Sequence, residues 1–292
     1  MANKYFKIIL FDIVLSCTYI AGISNKTSIE RPFNPIHELL PLTRPFIISG
    51  SVEKIIEFLK AFPRETSYIV LRQIVQEKES SLSQHDKAHL IFGLANAFRE
   101  DTNITEKIFE LLFLINDKPI SQRLVDAAGK GYTKIITLFL IWAHTQKTKH
   151  PELENIEKKS LLKAIDTTDI EAFKNLIKSS ITFNKNVATE IIWYVVSNNK
   201  NATFIELLAD KKANLWSTKN GHTLATKSVE LNNKKILKSL VQALKKQGAT
   251  QEEIENYLNR FVDKEIGTPI QIALGKGFTK IELYLREQGT QE

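Results

Sequence analysis

The sequence predicts an all-α chain: a solenoid of helix pairs preceded by a less regular helical N-terminal part. Three observations carry this. Gly (11) and Pro (8) are scarce in 292 residues, which excludes a turn-rich sandwich or barrel of short strands. Amphipathic segments with apolar residues at helical spacing recur along the chain. One segment also repeats: Ala128-Gly-Lys-Gly-Tyr-Thr-Lys-Ile-Ile136 and Leu274-Gly-Lys-Gly-Phe-Thr-Lys-Ile-Glu282 match closely. Each copy has an apolar helix before it and a Leu-rich helix after it. The shared piece therefore reads as the turn of a helix–turn–helix unit.

The composition, 43% apolar and 25% charged, is that of a globular protein. A single Cys excludes an internal disulfide framework and any zinc site of several cysteines. The net charge is +7, and only eight of the 40 basic residues are Arg. Arg is the residue suited to bidentate phosphate recognition, so a Lys-based excess is a weak nucleic-acid signal.

The elements follow in chain order. Residues 1–24 read as an export signal: Lys4 and Lys7 precede the apolar run Ile8–Ile20, and small residues follow at Ala21, Gly22 and Ser24. Asp12 inside the run favours the competing reading, an ordinary first helix. Two processing sites compete, Gly22-Ile23-Ser24 and Val14-Leu15-Ser16-Cys17, the latter resembling a bacterial lipoprotein box with Cys17 as the lipidated residue. The run is short for a membrane span. Residues 25–44 read as a linker and 45–122 as degenerate helical repeats, with a turn at Ser49-Gly50-Ser51.

From 123 to 292 the repeat frame is clearer. Its turns fall at Gly131, Thr168, Lys200, Asn232 and Gly277, spaced 37, 32, 32 and 45 residues apart. One helix pair cannot bury its own apolar face, and stacked neighbours make a continuous core. The wide last spacing is explained by an inserted amphipathic helix near 251–262, and 145–157 reads as a lengthened loop.

These residues resemble an ankyrin-repeat protein. Gly267-Thr268-Pro269-Ile270-Gln271-Ile272-Ala273 is similar to the family's G-x-T-P-L-H-x-A opening, with one spacer missing and Gln in place of His. Gly277, Ile281, Leu285 and Gly289 fall at later positions of the pattern. Phe204–Leu215 resembles its second helix and loop, and Asn220-Gly221-His222-Thr223 its hairpin and next helix start. Thr268 suits a helix cap and Pro269 the first helical position. Another α-solenoid of helix pairs is the competing architecture.

Few residues fall in a pattern that supports chemistry. His85 and His89 lie at i and i+4, but Asp86 stands where the metalloprotease motif has Glu, and no third ligand presents itself. The turns at 129–133 and 275–279 lack the phosphate-loop spacing and follow helices. There is no nucleophile elbow, and paired carboxylates such as Glu252-Glu253 read as solvated. The chain therefore reads as a non-enzyme that needs no cofactor and no metal.

Charge is informative by position. Residues 200–246 hold ten Lys against Glu206, Asp210 and Glu230, which accounts for the whole net charge. A solvated face, an acidic protein partner, and nucleic acid or an anionic membrane are the competing readings.

The function expected is non-catalytic protein binding by an exported scaffold. The resemblance implies that partners meet the concave side, made of loop fingers and first-helix faces. By position Trp216, Lys219, Asn220 and His222 are the contacts, although Trp216 serves equally as packing on the next repeat. Trp142 and Trp193 lie in apolar helices and read as core. The alternative is a secreted effector or surface factor that holds an anionic partner through 200–246.

Overall fold

A computed structural model describes residues 34–77, 82–115, 119–146, 148, 150–260 and 266–290. The export signal read over 1–24 lies outside them. The described chain is all-α apart from one two-stranded hairpin. It divides into two compact units between Pro119 and Ile120.

The first unit contains α1 (Pro35–Ile48), α2 (Val52–Lys60), α3 (Arg64–Gln76), α4 (Gln84–Ala97) and α5 (Thr102–Glu110), the last running into a 3-10 turn at Leu111–Leu114. The segment read as a linker is thus helical from Pro35 onward. The reason is local. Asn34 accepts the Ile36 N–H at its side chain, and Pro35 takes the first helical position, where no N–H is needed. Pro41 and Pro45 sit inside this helix, where proline ordinarily interrupts the helical period.

The helix α2 packs on α1, α3 and α4, and α5 packs on α3 and α4. Ile55, Leu59, Leu71, Ile74, Leu90, Ile91 and Ile108 form its fully buried core. Gly93 lets α2 and α4 approach closely: a Cβ there would stand 2.3 Å from the Ile56 side chain. Lys87 is buried and donates to the carbonyls of Val75 (3.1 Å) and Glu77 (2.6 Å), which closes the end of α3.

In the second unit the helices come in pairs: α6 (Ile120–Gly129) with α7 (Thr133–Gln146), α8 (Ile156–Asp166) with α9 (Ile170–Ser179), and α10 (Lys185–Ser197) with α11 (Thr203–Ala209). After the hairpin come α12 (Leu224–Glu230) with α13 (Lys234–Lys246), then a single α14 (Gln251–Leu258), then α15 (Pro269–Gly275) with α16 (Thr279–Glu287). The stretch read as an inserted helix near 251–262 is helical over Gln251–Leu258. First helices pack in succession, α6 on α8, α8 on α10, α10 on α12 and α12 on α15. Second helices do likewise, α7 on α9, α9 on α11 and α11 on α13.

The helix α13 shows how the sequence produces this. Ile236, Leu237, Leu240, Val241 and Leu244 are buried at helical spacing, while Lys235, Lys238, Lys245 and Lys246 face water. Burial of such side chains, about 1.5–3 kcal/mol each, outweighs the exposed ion pairs, about 0–1 kcal/mol each.

One device makes every turn within a pair. At Gly50, Gly131, Thr168, Asn199, Asn232 and Gly277 the backbone has positive φ. In each case that residue's N–H donates three residues back and the following N–H donates five back, as with Gly131 to Ala128 and Tyr132 to Ala127. Lys212, Gly248 and Gly289 end second helices in the same way. One turn differs from the sequence reading: the left-handed residue is Asn199, not Lys200. An Asn side chain enters this conformation more readily than a Lys.

Candidate functional site

The long loop between α11 and α12 carries all four residues singled out from the sequence. It begins at the left-handed Lys212 (φ 59°), which turns the chain off α11. Ala213 and Leu215 then plug into the core. The Asn214 N–H donates to the Thr189 hydroxyl of α10 at 2.9 Å, and the Trp193 indole N–H of the same helix donates to the Ser217 hydroxyl at 2.9 Å. Trp193 itself is buried, as is Trp142. The base of the loop is thus tied to the preceding pair.

The tip is a β-hairpin of β1 (Thr218–Lys219) and β2 (His222–Thr223), in which Lys219 faces His222. Asn220 (φ 49°) and Gly221 (φ 73°) make its two-residue turn, the pairing that suits an Asn-Gly sequence. Thr223 then starts α12 with a capping box completed by Thr226.

The four residues divide. Lys219 and Asn220 are exposed at the tip. Trp216 and His222 are half-buried against their own chain. The Trp216 ring stands edge-on to Tyr257 of α14, with centroids 5.1 Å apart, so it packs on the neighbouring helix rather than standing out as an anchor. The Tyr257 hydroxyl is buried and pushed up to about 12 by desolvation, and it accepts the Ala225 N–H.

His222 places Nδ1 3.8 Å from Glu230 Oε2, and this nitrogen is buried without a hydrogen bond. The Lys227 ammonium, 2.7 Å from Glu230, donates to its carboxyl and holds it below its ordinary value, with the charges of His222 and Lys276 adding to the effect.

Sequence reasoning missed a second cluster, on α8, α10 and the turn that follows α10. The Tyr194 hydroxyl donates to Asp166 Oδ1 at 2.7 Å, and Lys200 lies 2.8 Å from the same oxygen. Burial raises the Asp166 carboxyl, but the bonds from Lys200 and Tyr194 outweigh it and hold the acid below its usual range. The Tyr194 hydroxyl and the Lys200 ammonium are both raised by their bonds to Asp166. All three groups are therefore fixed in their ordinary neutral-pH forms. That suits a link between helix pairs rather than proton transfer, which needs values near neutrality. Long-range juxtaposition of these three residues left no sequence signal.

The basic stretch 200–246 is partly matched internally. Lys200, Lys227 and Lys246 pair with Asp166, Glu230 and Asp210. Lys234 and Lys238 lie 5.6 and 5.4 Å from the centroid of the Tyr284 ring.

His85 and His89 lie in α4, whose start is capped by Ser83 with Asp86 completing the box. Among the described residues no group of three or more His, Cys, Asp or Glu is arranged to hold a metal, and no helix is long and apolar enough to cross a membrane.

No protein-family model matches the chain, and no curated protein matches it.

Proposed function

We propose that this chain is a non-catalytic protein-binding scaffold with an ankyrin-like stack of helix pairs, whose partners meet the loops that join one pair to the next. The observation that carries the reading is the hairpin between α11 and α12. Its base is fixed to α10 through Trp193 and Thr189, while Lys219 and Asn220 face solvent at its tip. A rigid base with an exposed tip lowers the ordering cost of binding. The succession of first helices and of second helices, with the shared turn geometry, supports the stack. The reading calls for no cofactor and no metal.

Site-specific photo-crosslinking tests it. A crosslinker at Asn220 captures a protein partner, and the same group at Lys238, on the exposed side of α13, does not. Identical products from both positions, or none from either, overturn the reading. Export through the signal read over 1–24 belongs to the same proposal and is tested by sequencing the mature N-terminus.

A further inference from the structure

A cleft of about 540 Å³ opens between the loop that precedes α8 and the loop that follows α9. These loops, like the 210–223 loop, join one helix pair to the next. Its apolar lining includes Leu140, Ala143, Leu153 and Ile156, all buried, and Ile181, which is 43% exposed. Glu157 also lines it and is only 8% exposed.

Both carboxylate oxygens of Glu157 accept hydrogen bonds, and the donors among the described residues are neutral. The Ser180 hydroxyl donates to Oε1, and the Thr182 hydroxyl donates to Oε2 at 2.9 Å, with the Thr182 N–H at 3.4 Å. Among the described residues no ion pair reaches this carboxylate. Hydroxyl donors satisfy its lone pairs in part but leave its charge uncancelled in an apolar wall, and a buried charge without a countercharge is costly. Among the described residues of the lining, Glu154 is a second acid and His144 a further titratable group.

We infer that this cleft takes an arginine side chain of a partner polypeptide, its methylene stem along the apolar wall and its guanidinium on Glu157. Arg fits better than other cations because its head is weakly hydrated and its planar fork meets a carboxylate through two donors. Such a stem lies readily on apolar surface while the head reaches a polar partner. This deepens the protein-binding reading and rests on it for the claim that the cation belongs to a polypeptide.

The test is a titration of the full chain followed by amide NMR, with N-acetyl-arginine methylamide as the probe. The Thr182 amide resonance, which reports on Glu157, shifts on addition. The citrulline counterpart, of the same shape but neutral, binds at least about ten-fold more weakly, as does the Glu157→Gln variant with the charged probe. Ile181→Lys, at an exposed rim position, blocks binding and leaves the buried core unchanged, so a loss is readable even if Glu157→Gln folds poorly. Free arginine, whose own carboxylate meets Glu154, binds more weakly than the blocked form. Equal shifts with citrulline, undiminished binding to Glu157→Gln or Ile181→Lys, or tighter binding of free arginine each overturn the proposal. Because the probe is a single blocked residue, a failure here leaves the hairpin crosslinking result standing, and the reverse also holds.

Discussion

Trp216 meets Tyr257 edge to face, with ring centroids 5.1 Å apart and ring planes at 75°. The contact joins the base of the hairpin loop to α14, the helix with no partner of its own in the pairing pattern. The loop and the extra helix therefore stabilise one another, and the exposed tip depends on a contact made away from it. Trp216→Ala should lower stability by about 1–3 kcal/mol, part of it from the lost aromatic pair. Lys219→Ala at the tip should change it by less than about 0.5 kcal/mol. Thermal unfolding of the two variants separates the load-carrying base from the contact surface.

Thr168 holds a positive φ of 57°, at the turn position where the matching segment has Gly131. A β-branched residue there is strained by about 1–2 kcal/mol. Thr168→Gly should therefore stabilise the chain by about 1 kcal/mol, and Gly131→Ala should destabilise it by a similar amount. A Cβ at Gly131 meets nothing within 4 Å, so its cost is conformational alone. Urea denaturation of both variants gives opposite signs if the two turns are equivalent.

These two residues also show what was legible. The repeat, the helix pairs and the turns at Gly50, Gly131, Asn232 and Gly277 could be read because glycine and asparagine mark a left-handed backbone. Thr168 was placed only by alignment with its neighbours. The turn at Asn199 lies one residue from the position the repeat frame predicts, because three asparagines, Asn198, Asn199 and Asn201, surround Lys200 and give the turn several polar candidates. The helix from Pro35 was missed because Pro41 and Pro45 mask its period. In the candidate site, exposure of Lys219 and Asn220 followed from the Asn-Gly turn, whereas the inward tilt of Trp216 depends on Tyr257, 41 positions away. The Glu157 cleft was invisible for the same reason: its donors, Ser180 and Thr182, come from the next loop.

Glu230 should make the hairpin region acid-sensitive. Its carboxyl is held below the ordinary value of 4.5, chiefly by the Lys227 hydrogen bond. A folded value below the unfolded one gives stability that is complete above the unfolded value and is lost as pH falls through the folded one. The side chain is about one-third exposed (35%), and solvent screening keeps the effect under about 1 kcal/mol. Melting curves of the natural chain and of Glu230→Gln should differ at pH 6 and converge toward pH 3 (about 1–2 units below an ordinary carboxylate).

Lys87 should matter as a donor. The residue is 3% exposed and its pKa is lowered by desolvation, against the opposing charge of Glu77. Lys87→Met keeps the buried stem but strips donors from the carbonyls of Val75 and Glu77. Unsatisfied carbonyls cost about 1–3 kcal/mol, offset in part by relief of the buried charge. The net expectation is a loss of about 1 kcal/mol, read by urea unfolding of the first unit's helices.

Among the described residues, the turn at the end of nine helices closes through two backbone hydrogen bonds within six residues of chain. What a junction demands of heredity is correspondingly slight: one position able to sit at positive φ, which Gly, Asn, Thr and Lys all fill here. Mutation can then rewrite most letters between junctions, provided the apolar spacing persists, without breaking the rhythm of the helices. Likeness between such units would survive longest in their geometry and fade first in their spelling.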